Sequence, residues 1–537
     1  MWRRIVIGAL ALVLLGAAPA SARELSFLRV GRPMPGTEVP RIVDSYGRTV
    51  LLKGVNVDGI VDYWDADEKN PPPPQKLRPP YPSDPARYAG GRCPADNTRV
   101  EGVVACEFDF AQMRGLGYDV VRLNLSWSLL EPQPGKIDRR YVDRIAQVVR
   151  WAKKRGLYVV LDMHQDAWSK YVYTRGEPCT GDLQPIRGFD GAPLWASRYT
   201  SPACAAHGVR ELDPAVAEQF QKFWANAGGL QDHYTNVLVA LAKRFSSEPA
   251  VAGYELMNEP QPGVNAAPGE SDATELFPYW GRAVDSVVAR VKGFRQLFFV
   301  EPNVERNVTD TREAPPAPWS AYSSYKHVVY APHVYTGVFT ADQEVASQRF
   351  QPMVQGYQAV QDDARALGLP LWIGEFGNNP SDDDTLLAEH YALQDYYLLG
   401  GALWLWKENA NDTNPNFFWG VYGPPFGRGV PQAKRVLLTA RATPIATAGN
   451  LQTVSYAPRK RRFDIQALTG ARVRCGDRKH ATLVFVPRHV KVKVQHARMQ
   501  SFKRAGGHDV YVYPDGGHGG HYRIASNHGR KRTCPKK

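Results

Sequence analysis

The sequence predicts an α/β fold, a (β/α)8 TIM barrel carrying a C-terminal β-sandwich, and three observations lead there. Eight short runs rich in Val, Leu, Ile, Tyr and Trp recur from residue 49 to about 440, with little alternation of apolar and polar positions. Strands buried on both faces of a parallel sheet read this way. Each run is followed, after a loop, by residues whose apolar positions repeat with helical spacing, and eight such units close a barrel. Beyond residue 445 that spacing stops, and short β-like runs separated by Gly and Pro take over, as in a small sandwich. A doubly wound sheet is the alternative, but no glycine-rich phosphate loop follows the first run.

Taken in order, the chain opens with a segment that stands apart. Arg3 and Arg4 precede an apolar stretch, Ile5–Leu15, and the small residues Ala20-Ser21-Ala22 follow. This is the order of a cleaved secretory signal, and the apolar stretch is too short for a spanning helix. The mature chain is therefore expected to be secreted and extracellular. The eight runs are Thr49–Val57, Val120–Trp127, Tyr158–Asp166, Val251–Pro260, Leu297–Asn303, Val328–Tyr335, Leu371–Gly377 and Gly401–Asn409. Helical spacing is clearest in Asp138–Arg155, where Tyr141, Val142, Ile145, Val148, Val149 and Ala152 line one face before Gly156 ends the pattern. Similar stretches lie at Asp109–Leu116, Leu230–Phe245, Glu275–Val291, Gln355–Leu367 and Thr385–Leu399.

Two insertions interrupt the repeat. Asp58–Glu107 is Pro-rich, with four consecutive prolines at 71–74, and Ala167–Gly229 is rich in Trp, Tyr and Gly. Loops of that length on the catalytic face of a barrel are expected to wall or cover the site. β-like runs at Phe463–Leu468, Ala481–Val486, Asp509–Tyr513 and His521–Ala525 complete the chain. The expected division is a signal at 1–22, the barrel at 23–444 and the sandwich at 445–537.

Of the 537 residues 43% are hydrophobic and 22% charged, which fits a folded chain and not a disordered one. The net charge of +13 is unevenly spread: from Pro458 to Lys537, 20 Lys and Arg stand against 4 Asp and Glu, leaving the remainder at −3. Such an appendage is either a solvated face or a contact for anionic membrane, cell envelope or acidic glycan. Nucleic acid is not expected, since no recognition motif accompanies the charge. Six Cys fit an oxidising compartment, and proximity pairs Cys93 with Cys106, Cys179 with Cys204 and Cys475 with Cys534. No CxxC or HExxH spacing occurs, so no metal site is expected.

The ends of the runs hold the chemistry. The fourth closes with Asn258-Glu259-Pro260 and the seventh with Gly374-Glu375-Phe376-Gly377. A carboxylate at the end of a buried strand is costly unless it is paired or used. Two that meet across a barrel mouth are what glycoside hydrolysis needs: one acid to protonate the leaving oxygen, one carboxylate to attack the anomeric carbon. Carboxyls about 5 Å apart support double displacement with retention, and a wider gap admits water for inversion. Around them the second run supplies Arg122, the third His164 and Asp166, the sixth His333 and Tyr335, and the eighth Trp404 and Trp406. Singly, each has a structural explanation, an ion pair for Arg122 or Asp166 and a core position for His333. Gathered at six strand ends of one barrel face, they read as a glycosidase site.

The pattern resembles glycoside hydrolase family 5 over roughly residues 45–440, through Arg122, His164, Asn-Glu-Pro at 258–260, His-x-Tyr at 333–335, Gly-Glu-Phe-Gly at 374–377 and a Trp of the eighth strand. Within that family, Leu-Asp-Met-His-Gln-Asp at 161–166 and Leu-Trp-Leu-Trp-Lys at 403–407 are similar to endoglycoceramidases, which release the intact glycan from ceramide. The resemblance implies that Glu259 is the acid/base and Glu375 the nucleophile, with Tyr335 and Arg122 orienting Glu375 and His333 beside the pair. Asn258 would bond the sugar 2-hydroxyl, and His164 and Asp166 other sugar hydroxyls. Trp406 would stack under the sugar, with Trp404 the alternative on the same strand face. No metal or organic cofactor is implied. The family's sugar-binding Lys after the first strand has no clean counterpart, and Lys69 is the candidate.

The implied activity is a secreted retaining endo-β-glycosidase whose partner is a glycolipid, with Trp168, Tyr171, Tyr173, Trp195 and Tyr199 the candidate lining of an apolar channel for the lipid. A steryl or simple glucosyl lipid is the alternative substrate, and a polysaccharide of the cellulase or mannanase kind a third. The non-enzymatic reading is a silent carbohydrate- or lipid-binding barrel.

Overall fold

The computed structural model describes residues 23–33, 39–58, 60–61, 106–176, 178–186, 188, 190–206, 210–267, 269–308, 317–336, 353–407, 419–423 and 430–535. The eight expected strands are β1 (Lys53–Val57), β2 (Val120–Ser126), β3 (Tyr158–His164), β4 (Val251–Glu255), β5 (Leu297–Val300), β6 (Val328–Tyr330), β7 (Ile373–Phe376) and β8 (Gly401–Leu403). They form one parallel sheet in the order β6-β5-β4-β3-β2-β1-β8-β7. Parallel bridges Tyr330–Leu371 and Val334–Phe376 join its two outer strands and close the barrel. The strands are shorter than the apolar runs, and the excess lies mostly at their C-terminal ends. There the backbone leaves the ladder and turns its polar residues into the mouth.

Helices α1 (Glu107–Gly115), α2 (Arg139–Arg155), α3 (Pro214–Trp224), α4 (Leu230–Phe245), α5 (Phe277–Arg290), α6 (Met353–Leu367), α7 (Ala388–Tyr397) and α8 (Ala433–Thr439) surround the sheet. The carboxylate of Asp138 caps α2 by accepting from the backbone N–H of Arg140 and Tyr141, and all six residues of its expected apolar face are buried. Five-residue π turns, Asp272–Leu276 and Asp383–Leu387, precede α5 and α7, so both helices start later than their apolar spacing does. Between β5 and β6 the described residues hold only the one-turn helix Glu305–Val308 and a 3-10 turn, Trp319–Ala321.

Most of the first insertion, residues 59 and 62–105 with Lys69, lies outside the described residues, as does the signal segment 1–22. The second is a folded subdomain, in which Leu183–Pro185 pairs antiparallel with Cys204–Ala206 and α3 packs beneath. Cys179 and Cys204 form a disulfide there, and Cys475 and Cys534 form another. Cys106 is also disulfide-bonded, and its expected partner Cys93 is not among the described residues.

The C-terminal part is two four-stranded antiparallel sheets. Its strands are β9 (Thr443–Ala446), β10 (Asn450–Ala457), β11 (Arg462–Leu468), β12 (Thr482–Pro487), β13 (Lys493–Gln495), β14 (Ala497–Arg504), β15 (Gly507–Pro514) and β16 (His521–Ala525). The orders are β9-β12-β15-β14 and β10-β11-β16-β13. Residue 445, where the sandwich was expected to begin, lies within β9. Thr49 and Thr447 exchange both backbone hydrogen bonds, at 2.9 and 2.8 Å, and join the foot of the barrel to the sandwich. One apolar core runs from the barrel into Ile445, Leu483, Phe485 and Tyr511. Among the described residues no helix is long and apolar enough to cross a membrane.

Candidate active site

Arg122 stands at the centre of the barrel, fully buried. Its Nε donates to Glu255 at 2.6 Å, Nη1 to Glu375 at 2.5 Å and to Asn56 at 2.9 Å, and Nη2 to Asn258 at 2.7 Å. Asp162 at 3.2 Å and Glu301 at 3.4 Å complete the ring. The register explains the convergence. Asn56 of β1 lies beside Arg122 of β2, and Asp162 of β3 beside Glu255 of β4, so inward residues of four adjacent strands share the interior. Burial opposes the guanidinium's charge, but the surrounding carboxylates outweigh it and keep Arg122 cationic.

Tyr335 donates its hydroxyl to Glu375 Oε2 at 2.8 Å, so Arg122 holds one oxygen of this carboxylate and Tyr335 the other. Across the mouth, His333 Nδ1 bonds Glu259 Oε1 at 2.7 Å and stands 3.6 Å from Glu375 Oε2. Gly374 makes room for this ring: a Cβ there would meet the Ala331 carbonyl at 2.9 Å and His333 Cδ2 at 3.0 Å. Oxygen atoms of Glu259 and Glu375 lie within 4.8 Å of each other. Retaining glycosidases hold their carboxyls about 5–5.5 Å apart and inverting ones about 6.5–9.5 Å, so this spacing is that of double displacement.

Residues 106–410, more than half of the chain, match Cellulase (glycosyl hydrolase family 5). The chain belongs to glycosyl hydrolase family 5. As a member of family 5 it is a glycoside hydrolase. Endoglycoceramidase I of Rhodococcus hoagii (strain 103S) is 28% identical over 407 residues, covering 73% of this chain and 71% of that protein. A glucosylceramidase of Aspergillus fumigatus is 26% identical over 261 residues, covering 41% of this chain and 31% of that one. A crystal structure of an endogalactoceramidase superposes with a TM-score of 0.74 at 29% identity, over 94% of this chain and 100% of that chain.

Glu259 has its backbone at φ 40°, in the left-handed region that costs a non-glycine residue roughly 1–3 kcal/mol. Two side chains hold it there. Gln165 Nε2 donates to the carbonyls of Asn258 and Glu259, at 2.7 and 2.9 Å, and Glu301 Oε2 accepts from the Glu259 N–H at 3.3 Å. Glu301 Oε1 also ion-pairs with His333 Nε2 at 3.3 Å. Asn258 Oδ1 takes the Arg122 bond, and its Nδ2 donates one hydrogen to Gln165 O at 3.0 Å.

The electrostatics shift Glu375 and Glu259 in opposite directions. Burial pushes Glu375 above the usual carboxylate range, against the pull of His333 and Arg122. Burial acts on Glu259 too, but the hydrogen bond and charge of His333, with His164 and Arg122, outweigh it and hold Glu259 below that range. Burial disfavours charge on His333, yet Glu301, Glu375 and Glu259 raise it well above the ordinary imidazole value. Burial pushes Glu301 well up, against the pull of His333 and Arg122. In the free enzyme the proton between His333 and Glu259 therefore rests on the imidazole. The triplets Glu255, Glu301, His333 and Glu259, His333, Glu375 also have the spacing of cation ligands. Arg122 already supplies positive charge among these carboxylates, and family 5 chemistry needs no metal.

His164 Nδ1 bonds Asp162 at 2.7 Å, and its ring stacks on Trp404 at 5.7 Å and 12°. Trp404 is half-buried at the mouth, whereas Trp406 is fully buried, donates Nε1 to Asp109 of α1 at 2.9 Å and packs on Tyr422. Trp406, expected under the sugar, is thus buried away from the mouth, and of the two rings Trp404 is the one that faces it. β8 ends at Leu403, and the period-two alternation that would put both rings on one face ends with it. Asp166 reaches the rim, where Arg210 holds it at 2.5 Å and burial, opposed by Arg210, lifts its carboxyl to about 7.

Trp168, expected in a lipid channel, is instead buried among Trp127, Phe220 and Phe223, with Nε1 on the Ala196 carbonyl. Tyr171 is half-buried, and Tyr199 donates to the Tyr173 carbonyl at 2.7 Å. Trp195 and Tyr199 line an open depression of about 550 Å³ with Leu194 and Pro132. Asn56, Asp162, Glu255, Glu301 and Gln165 were not among the expected site residues. Their signal was present, since an acid inside an otherwise apolar run, as in Tyr254-Glu255-Leu256, has to meet a partner in the barrel interior.

Proposed function

We propose that this family 5 enzyme is a secreted retaining endo-β-glycosidase that cleaves between glycan and ceramide in glycosphingolipids. The observation that carries this reading is the likeness to endogalactoceramidase, which continues through the sandwich to cover 94% of the chain. Glu375, held by Arg122 and Tyr335, attacks the anomeric carbon while the glycosidic oxygen takes a proton from Glu259. Proton transfer across the 2.7 Å bond from His333 Nδ1 to Glu259 first converts the imidazolium–carboxylate pair into the imidazole–carboxylic acid pair this step requires. Ceramide leaves as the alcohol and the glycan stays esterified to Glu375. Glu259, now ionised, takes a proton from water, whose oxygen attacks the same carbon and releases the glycan with retained configuration.

His164, Asp166 and Trp404 would bind the sugar next to the cleaved bond, and the second amide hydrogen of Asn258 its 2-hydroxyl. The basic sequence from Pro458 onward would meet anionic membrane or envelope. The test is incubation of wild type, Glu259→Gln and Glu375→Gln with a glycosphingolipid panel in detergent, with products read by mass spectrometry. Intact glycan and free ceramide from wild type alone are expected. A second reading, a glucosidase on a simple glucosyl lipid, draws on the likeness to a glucosylceramidase. Release of glucose only, with longer glycans refused, would favour it.

A further inference from the structure

Two independent features mark the end of the barrel onto which the active site opens. Among the described residues six large apolar side chains are exposed, and four of them, Leu183, Leu194, Val264 and Val430, belong to the segments that follow the C-terminal ends of β3, β4 and β8. The other two, Tyr396 and Leu437, lie on α7 and α8. Single exposed apolar residues need no explanation, but a preference for one end of a molecule does.

The second feature is a basic turn carried to that same end. β10 packs along α7, and Tyr456 near its end bonds the Ala440 carbonyl at 3.3 Å under the Arg441 guanidinium. The hairpin then turns through Pro458-Arg459-Lys460-Arg461 into β11. Arg459 donates to Asp384 Oδ1 at 2.9 Å, and Lys434 holds Oδ2 at 2.9 Å. Asp384 belongs to the segment that follows the C-terminal end of β7 and leads into α7, so the turn is held at the end of the barrel where β7 delivers Glu375. Lys460, Arg461 and Arg462 are exposed and have no acidic partner among the described residues. Arg461 is at φ 51°, where Gly or Asn is the ordinary occupant. Adjacent like charges and a long side chain in that conformation both work against folding, and binding is what would offset them.

We propose that this end of the molecule docks on an anionic lipid surface, with Lys460, Arg461 and Arg462 against the headgroups and Leu194 and Val264 entering the interface. The barrel mouth would then open onto the bilayer that holds the glycolipid, so the inference rests on the glycolipid reading and locates its membrane contact on the hairpin and not on the chain's basic end. The test compares wild type with Lys460→Ser/Arg461→Asn/Arg462→Thr, substitutions suited to a turn, a left-handed position and a strand start. A charge-matched control is Arg530→Ser/Lys531→Ser/Arg532→Ser. Each is sedimented with vesicles of phosphatidylcholine containing phosphatidylglycerol and no glycolipid, which separates docking from catalysis. Each is also assayed on a soluble aryl β-glycoside.

The hairpin variant should partition roughly 100-fold more weakly at low salt, from about a fivefold contribution for each of three lost cations near the surface. The control should stay near wild type, and glycoside turnover should be unchanged in both. Equal partitioning of the hairpin variant and wild type would overturn the proposal, as would an equal loss in the control. A hairpin variant with diminished turnover on the soluble glycoside would overturn it too, by showing that the turn supports the active site itself. Wild type that ignores phosphatidylglycerol yet binds neutral vesicles bearing a sialylated glycolipid would assign the turn to an acidic glycan. If docking holds while no ceramide substrate is cleaved, only the glycolipid reading falls.

Discussion

His333 Nδ1 lies 2.7 Å from Glu259 Oε1 and 3.6 Å from Glu375 Oε2, so one imidazole serves both carboxyls. Its charge lowers the proton affinity of each, and its own is raised by them. The bell of kcat/KM against pH should therefore have an acid limb above the ordinary carboxylate value of about 4.3, where Glu375 ionises. Its alkaline limb should lie above the ordinary imidazole value of about 6.5, where the His333–Glu259 pair loses its last proton. His333→Gln should narrow the bell from both sides. Without the imidazolium, Glu375 binds its proton more tightly and the acid limb rises. The acid proton then resides on Glu259 alone, in the carboxylate range, and the alkaline limb falls. A profile merely scaled down, with both limbs in place, would refute this.

Arg122 and Tyr335 hold the two oxygens of Glu375 but should fail differently when removed. Arg122→Met strips the only guanidinium from among Glu255, Glu375, Asp162 and Glu301. Removing one partner of a buried ion pair costs about 3–5 kcal/mol, and here several partners are orphaned, so the urea midpoint should drop sharply. Tyr335→Phe removes one hydrogen bond to a charged group, about 1.5–3 kcal/mol. Because that bond is made to the attacking carboxylate, kcat/KM should fall about 10- to 100-fold while the urea midpoint moves little.

The barrel was legible because its strands are buried on both faces, which leaves an unbroken apolar run for each of β1 to β8. That Glu259 and Glu375 meet at the mouth was legible for the same reason, since both are acids at the ends of such runs. What was missed follows from the same physics read less far. Glu255 and Glu301 are equally anomalous in their runs, yet they pair with Arg122 and His333 in the interior instead of facing the mouth. In the sandwich, β14 is an edge strand carrying Arg498, Lys503 and Arg504, and β10 exposes Gln452, Thr453 and Ser455, so neither presents a clear apolar alternation. Trp404 and Trp406 could not be told apart, because where β8 ends is set by pairing with β1 and β7.

That ambiguity gives a direct experiment. Trp404→Ala should raise KM for the glycolipid and for a soluble glycoside by about tenfold or more, since it removes an apolar face of roughly 1.5–3 kcal/mol from the sugar site. Stability should change little, because the ring is half-buried at the mouth. Trp406→Ala opens a cavity between β8, α1 and Tyr422 and takes one hydrogen bond from the buried Asp109, which keeps Lys407 and the Cys106 N–H. The cavity should cost about 3–5 kcal/mol of stability and leave KM of the folded fraction near wild type. The opposite pattern would return the platform to Trp406.

The sandwich and the barrel should unfold together. Asp509 of β15 is fully buried and accepts from Arg114 of α1 at 2.6 Å and from Arg504 at 2.7 Å, so it binds the two parts across their interface. Beside it the backbones nearly touch: a Cβ on Gly506, which sits at φ 73°, would lie 1.9 Å from the Gly115 carbonyl. Asp509→Ala leaves two guanidiniums facing each other without their carboxylate and should cost about 3–5 kcal/mol. Gly506→Ala adds a clash with backbone that no side-chain rotation relieves. Followed by tryptophan fluorescence, which reports on the barrel, and by vesicle binding, which reports on the β10–β11 turn, both variants should lose the two signals at one common, lower urea concentration. A variant that lost vesicle binding early while the barrel kept its wild-type midpoint would mean that the sandwich folds as an independent unit.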